Sequence, residues 1–248
     1  HMVHEMARAI RAGPGRERHI HLVLENGGNE GHFLGPPGAR DTHDAQWNDD
    51  VHHCLHVILT GETDGYYEDY AERPHAMLCR CLAEGFGYQG EPSRHAGHRR
   101  GEPSADLPPT AFVPFLQNHD QIGNRALGER LSSLVENEAA LRAAVAIVLL
   151  APSPPLLFMG EEWAGPEPFV YFCDFGPELA EKVRAGRKRE FARFTRFGEV
   201  TLPDPTAVET FRSAKLDWSR RHDPKHAGWL AYYRRLLAIR ARDIVPRI

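Results

Sequence analysis

Three apolar runs in this sequence are each followed at once by polar groups able to do chemistry. Leu24 leads into Glu25 and Asn26, Leu116 into Gln117-Asn118-His119-Asp120, and Met159 into Gly160-Glu161-Glu162-Trp163. If the runs are strands of a parallel α/β barrel, the acids after them converge on one mouth, because such barrels carry their reacting groups at the C-terminal strand ends. Several carboxylates beside an aromatic ring suit glycoside hydrolysis. One acid protonates the leaving oxygen and others stabilise an oxocarbenium-like charge, while a Trp face stacks on a sugar and Asp, His and Asn pair with its hydroxyls. Each feature has a plainer reading. An acid after a strand can be only the N-cap of the next helix, and Asn-His-Asp can be an Asx turn. Three occurrences together favour function over capping.

Other chemistries find little support. His52 and His56 have the i, i+4 spacing of a metal pair, but no HExxH frame accompanies them, since His4-Glu5-Met6-Ala7-Arg8 lacks the second histidine. No metal and no organic cofactor are expected. The phosphate-cradling patterns GxGxxG and GxxxxGK[ST] are absent. The basic stretch Arg94, His95, His98, Arg99 and Arg100 reads as a solvated loop rather than an anion site. A formal net charge of -4 and a pI near 6.4 argue against a nucleic-acid partner. Cys54, Cys79, Cys81 and Cys173 are too few for a disulfide scaffold and are read as reduced thiols. Basic charge is carried by 26 arginines against four lysines, a bias of composition rather than a recognition surface. Neither a membrane span nor a signal peptide is visible, so the expectation is a soluble, cytoplasmic protein with no membrane partner.

The elements that must position these groups follow from periodicity. With 248 residues, 42% hydrophobic, the chain is long enough for one well-buried domain. Residues 2–12 read as an amphipathic helix stopped by Gly13-Pro14-Gly15, and residues 19–24 as a buried strand. A Gly- and Pro-rich loop follows, with a short strand near Asp44–Trp47 and a helix capped by Asp49 or Asp50 through Leu59. Residues 87–109 read as a surface loop and 111–116 as a second buried strand in which Pro114 demands a bulge or a non-pairing position. Asn137–Leu150 is an apolar helix, and Pro154–Met159 a third buried strand. Residues 177–197, with Leu179, Val183, Phe191 and Phe194, form a charged helix, and a last helix runs from about His226 to Arg242.

The string Phe112-Val-Pro-Phe-Leu-Gln-Asn-His-Asp120-Gln-Ile-Gly-Asn-Arg125 resembles the seventh-strand motif of the α-amylase family of glycoside hydrolases. With His21–Asn26, Ala45–Asp50, Leu59–Tyr67 and Leu157–Trp163, the chain is similar to the trehalose-releasing branch of that family over essentially its whole length. That branch cleaves the α-1,4 bond next to a terminal trehalosyl unit of a malto-oligosaccharide. The resemblance implies an α/β fold, a partial TIM (β/α)8 barrel from roughly the fifth strand to the eighth helix. Residues 1–248 would be the C-terminal half of the catalytic barrel, ending before a C-terminal β domain. It implies Glu25 as catalytic general acid/base and Asp120 as the third catalytic acid, binding ring hydroxyls of the distorted sugar at the cleavage point. His119, Asn118, Gln121, Trp47, Asn48, Glu161 and Trp163 would bind substrate.

The family is retaining and uses a carboxylate nucleophile about 5 Å from the acid, an aspartate on its fourth strand. No Gly-x-Arg-x-Asp-Ala-like strand occurs here, so the nucleophile is expected to be missing and the isolated chain to have little activity. A half-barrel would also expose strand edges, and association through them is expected. Two other readings stay open: a relative of glycogen-branching enzymes, which act on the same glucan, and a non-catalytic glucan-binding protein.

Overall fold

The computed structural model describes residues 2–36, 39–191 and 202–248. In chain order these form α1 (Met2–Ala12), β1 (Val23–Leu24), β2 (Ala45–Asn48), α2 (Asp49–Thr60), α3 (Pro74–Glu84), β3 (Glu91–Pro92), β4 (Arg99–Arg100) and β5 (Phe112–Pro114). Then come α4 (His119–Gly123), α5 (Leu131–Leu134), α6 (Glu138–Leu150), α7 (Pro177–Phe191), α8 (Val208–Ser213) and α9 (Pro224–Ile239). They build two compact units. The first comprises His1–Leu116, Ala139–Leu156 and Arg234–Ile248, and the second Gln117–Glu138 and Leu157–Tyr233.

The first unit is mixed α/β around a three-stranded parallel sheet of order β1-β2-β5. Val23 lies opposite Ala45 and Leu24 opposite Gln46, while Gln46, Trp47 and Asn48 face Phe112, Val113 and Pro114. Parallel pairing puts all three C-terminal strand ends on one edge of the sheet. The run 19–24 enters the ladder only at its end, because the Leu22 N–H donates instead to the Asp44 carboxylate at 2.7 Å. Pro114 occupies the last register position of β5, where its missing N–H is harmless, and its carbonyl accepts from Leu156 N at 3.0 Å. The strand expected over 154–159 does not form. Pro152, Pro154 and Pro155 remove the donors a ladder needs, and Leu157 and Met159 are 38% and 50% exposed.

Helix α2 starts directly after β2 and ends where Gly61 adopts a left-handed conformation and donates to the Val57 carbonyl at 2.9 Å. Its two histidines at i, i+4 spacing are spent on the core. The Nδ1 of His52 donates to the Leu116 carbonyl at 2.6 Å, so its Nε2 accepts from the Tyr67 hydroxyl at 2.9 Å. His56 pairs with Glu62 at 2.8 Å and stacks on Tyr67. Helix α3 begins at Pro74 and ends at Gly85. With a φ of +96°, Gly85 could not be replaced without cost, since a Cβ there would lie 2.1 Å from the ring of Phe112. This close approach lets Phe86 meet Phe112 edge to face at 5.0 Å, within a core shared with Leu34 and Ala111. At the other end of the sheet-to-helix handover, buried Arg240 donates to the carbonyls of Leu149, Ala151 and Pro152, filling the acceptors that α6 leaves at its C-terminus.

The basic stretch is exposed over residues 94–99, as its sequence reads, and the segment also contains the short antiparallel pair β3 and β4. Arg94 makes an exposed pair with Glu72 at 2.5 Å, whereas Arg100 turns inward to the wholly buried Asp50 at 2.9 Å. Asp50 also accepts from Asn29 Nδ2 and Gly87 N at 2.7 Å, Tyr88 N at 3.1 Å and the Tyr70 hydroxyl at 2.5 Å. One carboxylate thus joins the loop after β1, the 3-10 turn at Gly65–Tyr70, the segment after α3 and β4.

Among the described residues of the second unit only helices and turns are regular. The helix read over 177–197 is seen as α7 to Phe191; residues 192–197, with Phe194, lie outside the described residues. No helix among the described residues is long and apolar enough to cross a membrane.

Replacing Asp50 by Ala would strand the Arg100 guanidinium and four other donors in a dry environment. The expected loss is about 3–5 kcal/mol of unfolding free energy, read from urea unfolding of wild type and Asp50→Ala. A loss below about 1 kcal/mol, the worth of a surface pair, would contradict this role.

Candidate functional site

Glu25 leaves the sheet at the C-terminal end of β1 with its side chain exposed. The backbone on both sides of it is fixed. Leu24 is in the parallel ladder, and Asn26 exchanges hydrogen bonds with buried Gln46, Gln46 Nε2 donating to the Asn26 carbonyl at 2.7 Å and Asn26 Nδ2 to Gln46 Oε1 at 3.3 Å. One residue further, the Gly27 carbonyl accepts from Arg100 Nε at 2.7 Å. The exposed carboxylate is thus carried on a backbone fixed on both sides. On the adjacent strand, Trp47 is half-buried, its ring edge-on to Phe115 at 6.0 Å. Asn48 is 2% exposed and donates its amide to the Gly85 carbonyl at 2.8 Å. It therefore ties β2 to the end of α3.

In the second unit, Asn118 is the N-cap of α4. Its Oδ1 accepts from Asp120 N at 2.9 Å and Gln121 N at 3.2 Å, so the capping reading of this residue holds. Capping does not exhaust the motif, because the cap turns the next two side chains outward. His119 and Asp120 keep 41% and 50% of their side-chain surface open, with His119 Nε2 3.4 Å from Asp120 Oδ1. Gln121 is half-buried beside them.

Tyr171, which the sequence does not single out, holds this turn. Its hydroxyl donates to Asp120 Oδ1 at 2.9 Å and lies 3.2 Å from the His119 carbonyl. The ring can reach there only because residue 123 is glycine: a Cβ at Gly123 would sit 2.4 Å from Tyr171 Cζ. Arg187 stacks its guanidinium over the same ring at 5.4 Å and donates to the Gly123 carbonyl at 3.1 Å. The only trace of this in the sequence is the aromatic run Phe169-Val170-Tyr171-Phe172, which matches no helix or strand period.

Glu161 and Trp163 are placed deeper. Trp163 is 1% exposed, packed on Trp218 at 4.9 Å between ring centres, and its carbonyl accepts from His226 Nδ1 at 2.8 Å. Glu161 is buried, with the Tyr233 hydroxyl 3.3 Å from Oε1 and Gln117 Nε2 3.5 Å from Oε2. Burial, weakly offset by these donors, pushes its carboxyl up to about 8. It is a neutral acid at pH 7. The Tyr233 phenol is pushed well up as well, by burial first and then by the neighbouring Glu161. Thus Glu25 in the first unit, and His119 and Asp120 in the second, are exposed or half-exposed, whereas Asn48 in the first unit, and Glu161 and Trp163 in the second, are buried.

No family model matches the chain. Curated relatives do. It is 39% identical over 244 residues to a malto-oligosyltrehalose trehalohydrolase from Arthrobacter ramosus, a match covering 97% of this chain and 42% of the relative. It is 41% identical over 248 residues to the protein of the same name from Deinococcus radiodurans, covering 99% of this chain and 40% of the relative. The chain is a relative of the malto-oligosyltrehalose trehalohydrolases. It spans about two fifths of the length of the trehalohydrolases it matches. A crystal structure of a Salmonella typhimurium protein provisionally called an α-amylase superposes with a TM-score of 0.93 at 45% identity, covering 99% of this chain and 42% of that one.

The raised carboxyl of Glu161 has a definite consequence for stability. The folded protein holds a proton there that the unfolded chain releases above about 4.5, so stability falls as pH rises from about 4.5 to about 8. Each pH unit in that window costs up to about 1.4 kcal/mol. Glu161→Gln removes the titration, and its stability relative to wild type is expected to rise from pH 5 to pH 8 in urea unfolding. A difference between the two that stays constant with pH would show that Glu161 is ionised in the fold.

Proposed function

We propose that the protein belongs to a retaining α-glucan hydrolase of the α-amylase type, built on a (β/α)8 barrel of which this chain supplies the part from about the fifth strand to the eighth helix. Its substrate class is malto-oligosyltrehalose and its product trehalose. The observation that carries the reading is the identity of 39–41% with trehalohydrolases over nearly the whole chain, supported by an open carboxylate, Glu25, at a parallel strand end and by the clamped His119–Asp120 turn.

In this reading Glu25 delivers its proton to the glycosidic oxygen as the bond from the glucan's anomeric carbon to the leaving trehalose breaks, and afterwards takes a proton from the water that attacks that carbon. Asp120 accepts hydrogen bonds from ring hydroxyls at the cleavage point and stabilises the positive charge that develops there. The Tyr171 hydroxyl occupies Oδ1 of Asp120, which leaves Oδ2 as the oxygen aimed at the sugar. His119 donates to the same sugar, and the remaining substrate-binding residues of this reading are Trp47 and Asn48 from the first unit and Asn118, Gln121, Glu161 and Trp163 from the second. No step calls for a metal or an organic cofactor.

A second reading is glucan binding without cleavage, since exposed or half-exposed His119, Asp120 and Trp47 can pair with and stack on a sugar with no bond broken. One assay separates the two. The 248-residue protein is incubated with malto-oligosyltrehalose and released trehalose is measured beside a Glu25→Gln control. Release that drops by roughly 10²–10⁴ in the variant establishes the hydrolase reading for this chain. Glucan that is bound and never cut establishes the second. Release unaffected by Glu25→Gln would remove Glu25 from the mechanism.

A further inference from the structure

At the corner of the first unit where α1 turns towards β1 there is a cavity of about 510 Å³ lined by Arg8, Arg11, Arg16, Arg40 and His19. It lies before the N-terminal end of β1, whereas Glu25 follows the C-terminal end. The wall is rigid. Arg11 donates through one nitrogen to the Ile20 carbonyl at 2.5 Å and through the other to both oxygens of Asp44 at 2.7 and 2.8 Å, pinning the last turn of α1 to the chain that enters the sheet. A Cβ at Gly15 would meet the Ile10 carbonyl at 2.9 Å, so the turn that closes this corner is tight.

Arg11 is neutralised by Asp44, but the other guanidiniums are not. Among the described residues no carboxylate pairs with Arg8, Arg16 or Arg40. Other arginines of the first unit do pair with acids, Arg80 with Glu84 and Glu91, and Arg94 with Glu72. Three permanently charged groups around one concavity repel each other and focus a positive potential into it. The C-terminal end of α1 contributes only about half a negative charge, too little to offset them. The corner also holds a ligand set for a cation: His19 Nε2 lies 3.2 Å from His21 Nδ1, and these with Asp44 bring ligand atoms within 4.8 Å of one another. A cation would have to displace Arg11 from both Asp44 oxygens in the presence of three further positive charges. An anion is the complement of this site.

We propose that the cavity binds a small molecule through a phosphate group, the planar forks of Arg16 and Arg40 and the Arg8 guanidinium taking its oxygens and His19 adding a ring nitrogen. The volume exceeds what a bare phosphate needs and accommodates a body of sugar size. This site is separate from the glucan reading and stands without it.

The test is calorimetric titration of the 248-residue protein at low salt with inorganic phosphate and, in parallel, with glucose 6-phosphate. Saturable binding is expected, weakened about tenfold or more in Arg16→Gln/Arg40→Gln, whose circular dichroism should match wild type. Should the double variant misfold, Arg40→Gln alone, in an exposed loop, gives the same comparison. Tighter binding of the sugar phosphate would show that the cavity reads the body of the ligand, and equal binding would show that it reads the phosphate alone. Absence of saturable binding to either probe, or unchanged affinity in a folded variant, would overturn the proposal.

Discussion

The first unit depends on the buried charge of Asp50. A carboxylate with no exposure is tolerable only if its oxygens are fully engaged, and here the partners come from four separate stretches of chain: Asn29, Tyr70, Gly87 with Tyr88, and Arg100. None of these stretches is regular enough to hold itself. Arg100 extends the arrangement one step outward, because the same guanidinium that meets Asp50 also reaches the Gly27 carbonyl and the Tyr70 hydroxyl. The loop that carries Glu25 is thereby fastened to the core two residues beyond the acid. A buried ion pair is a weak source of net stability, and its value here is in specifying one position for segments that lack secondary structure.

The second unit solves a similar problem with neutral groups. The Asn118 cap shapes α4, and a glycine at position 123 admits the ring of Tyr171, whose hydroxyl takes one oxygen of Asp120. Arg187 covers the outer face of that ring. The result is a carboxylate that is half open to solvent yet has one of its two oxygens assigned. Glu161 is buried, its carboxyl pushed up by burial, and it accepts from Gln117 and Tyr233.

Helices were the most legible part of the sequence, because α1, α2 and α6 combine an apolar period with clear stops such as Gly13-Pro14-Gly15 and Gly61. Strands were less so. The run at 154–159 has the apolar density of a strand, but its prolines cannot donate, and only Leu156 makes a ladder-like bond. The run at 19–24 is shortened by a side chain, Asp44, that outcompetes the ladder for Leu22 N. In the candidate site, Glu25, His119 and Asp120 were readable from their place after strands. The roles of Asn48 and Tyr171 were not, because they rest on contacts 37 and 51 residues away in the chain. Within the exposed stretch 94–99 the charges are as solvated as they read, and only Arg100 departs from that reading, because its partner Asp50 lies 50 residues away in the chain.

In the proposed function the turn at His119–Asp120, held by Tyr171, recognises a glucan. Calorimetric titration of the 248-residue protein with maltoheptaose, in wild type and Asp120→Asn, tests it most directly. The account predicts saturable binding that weakens at least about tenfold in the variant, the cost of losing a charged hydrogen-bond acceptor. Equal affinity in the two proteins, or no binding by the folded wild type, would contradict it.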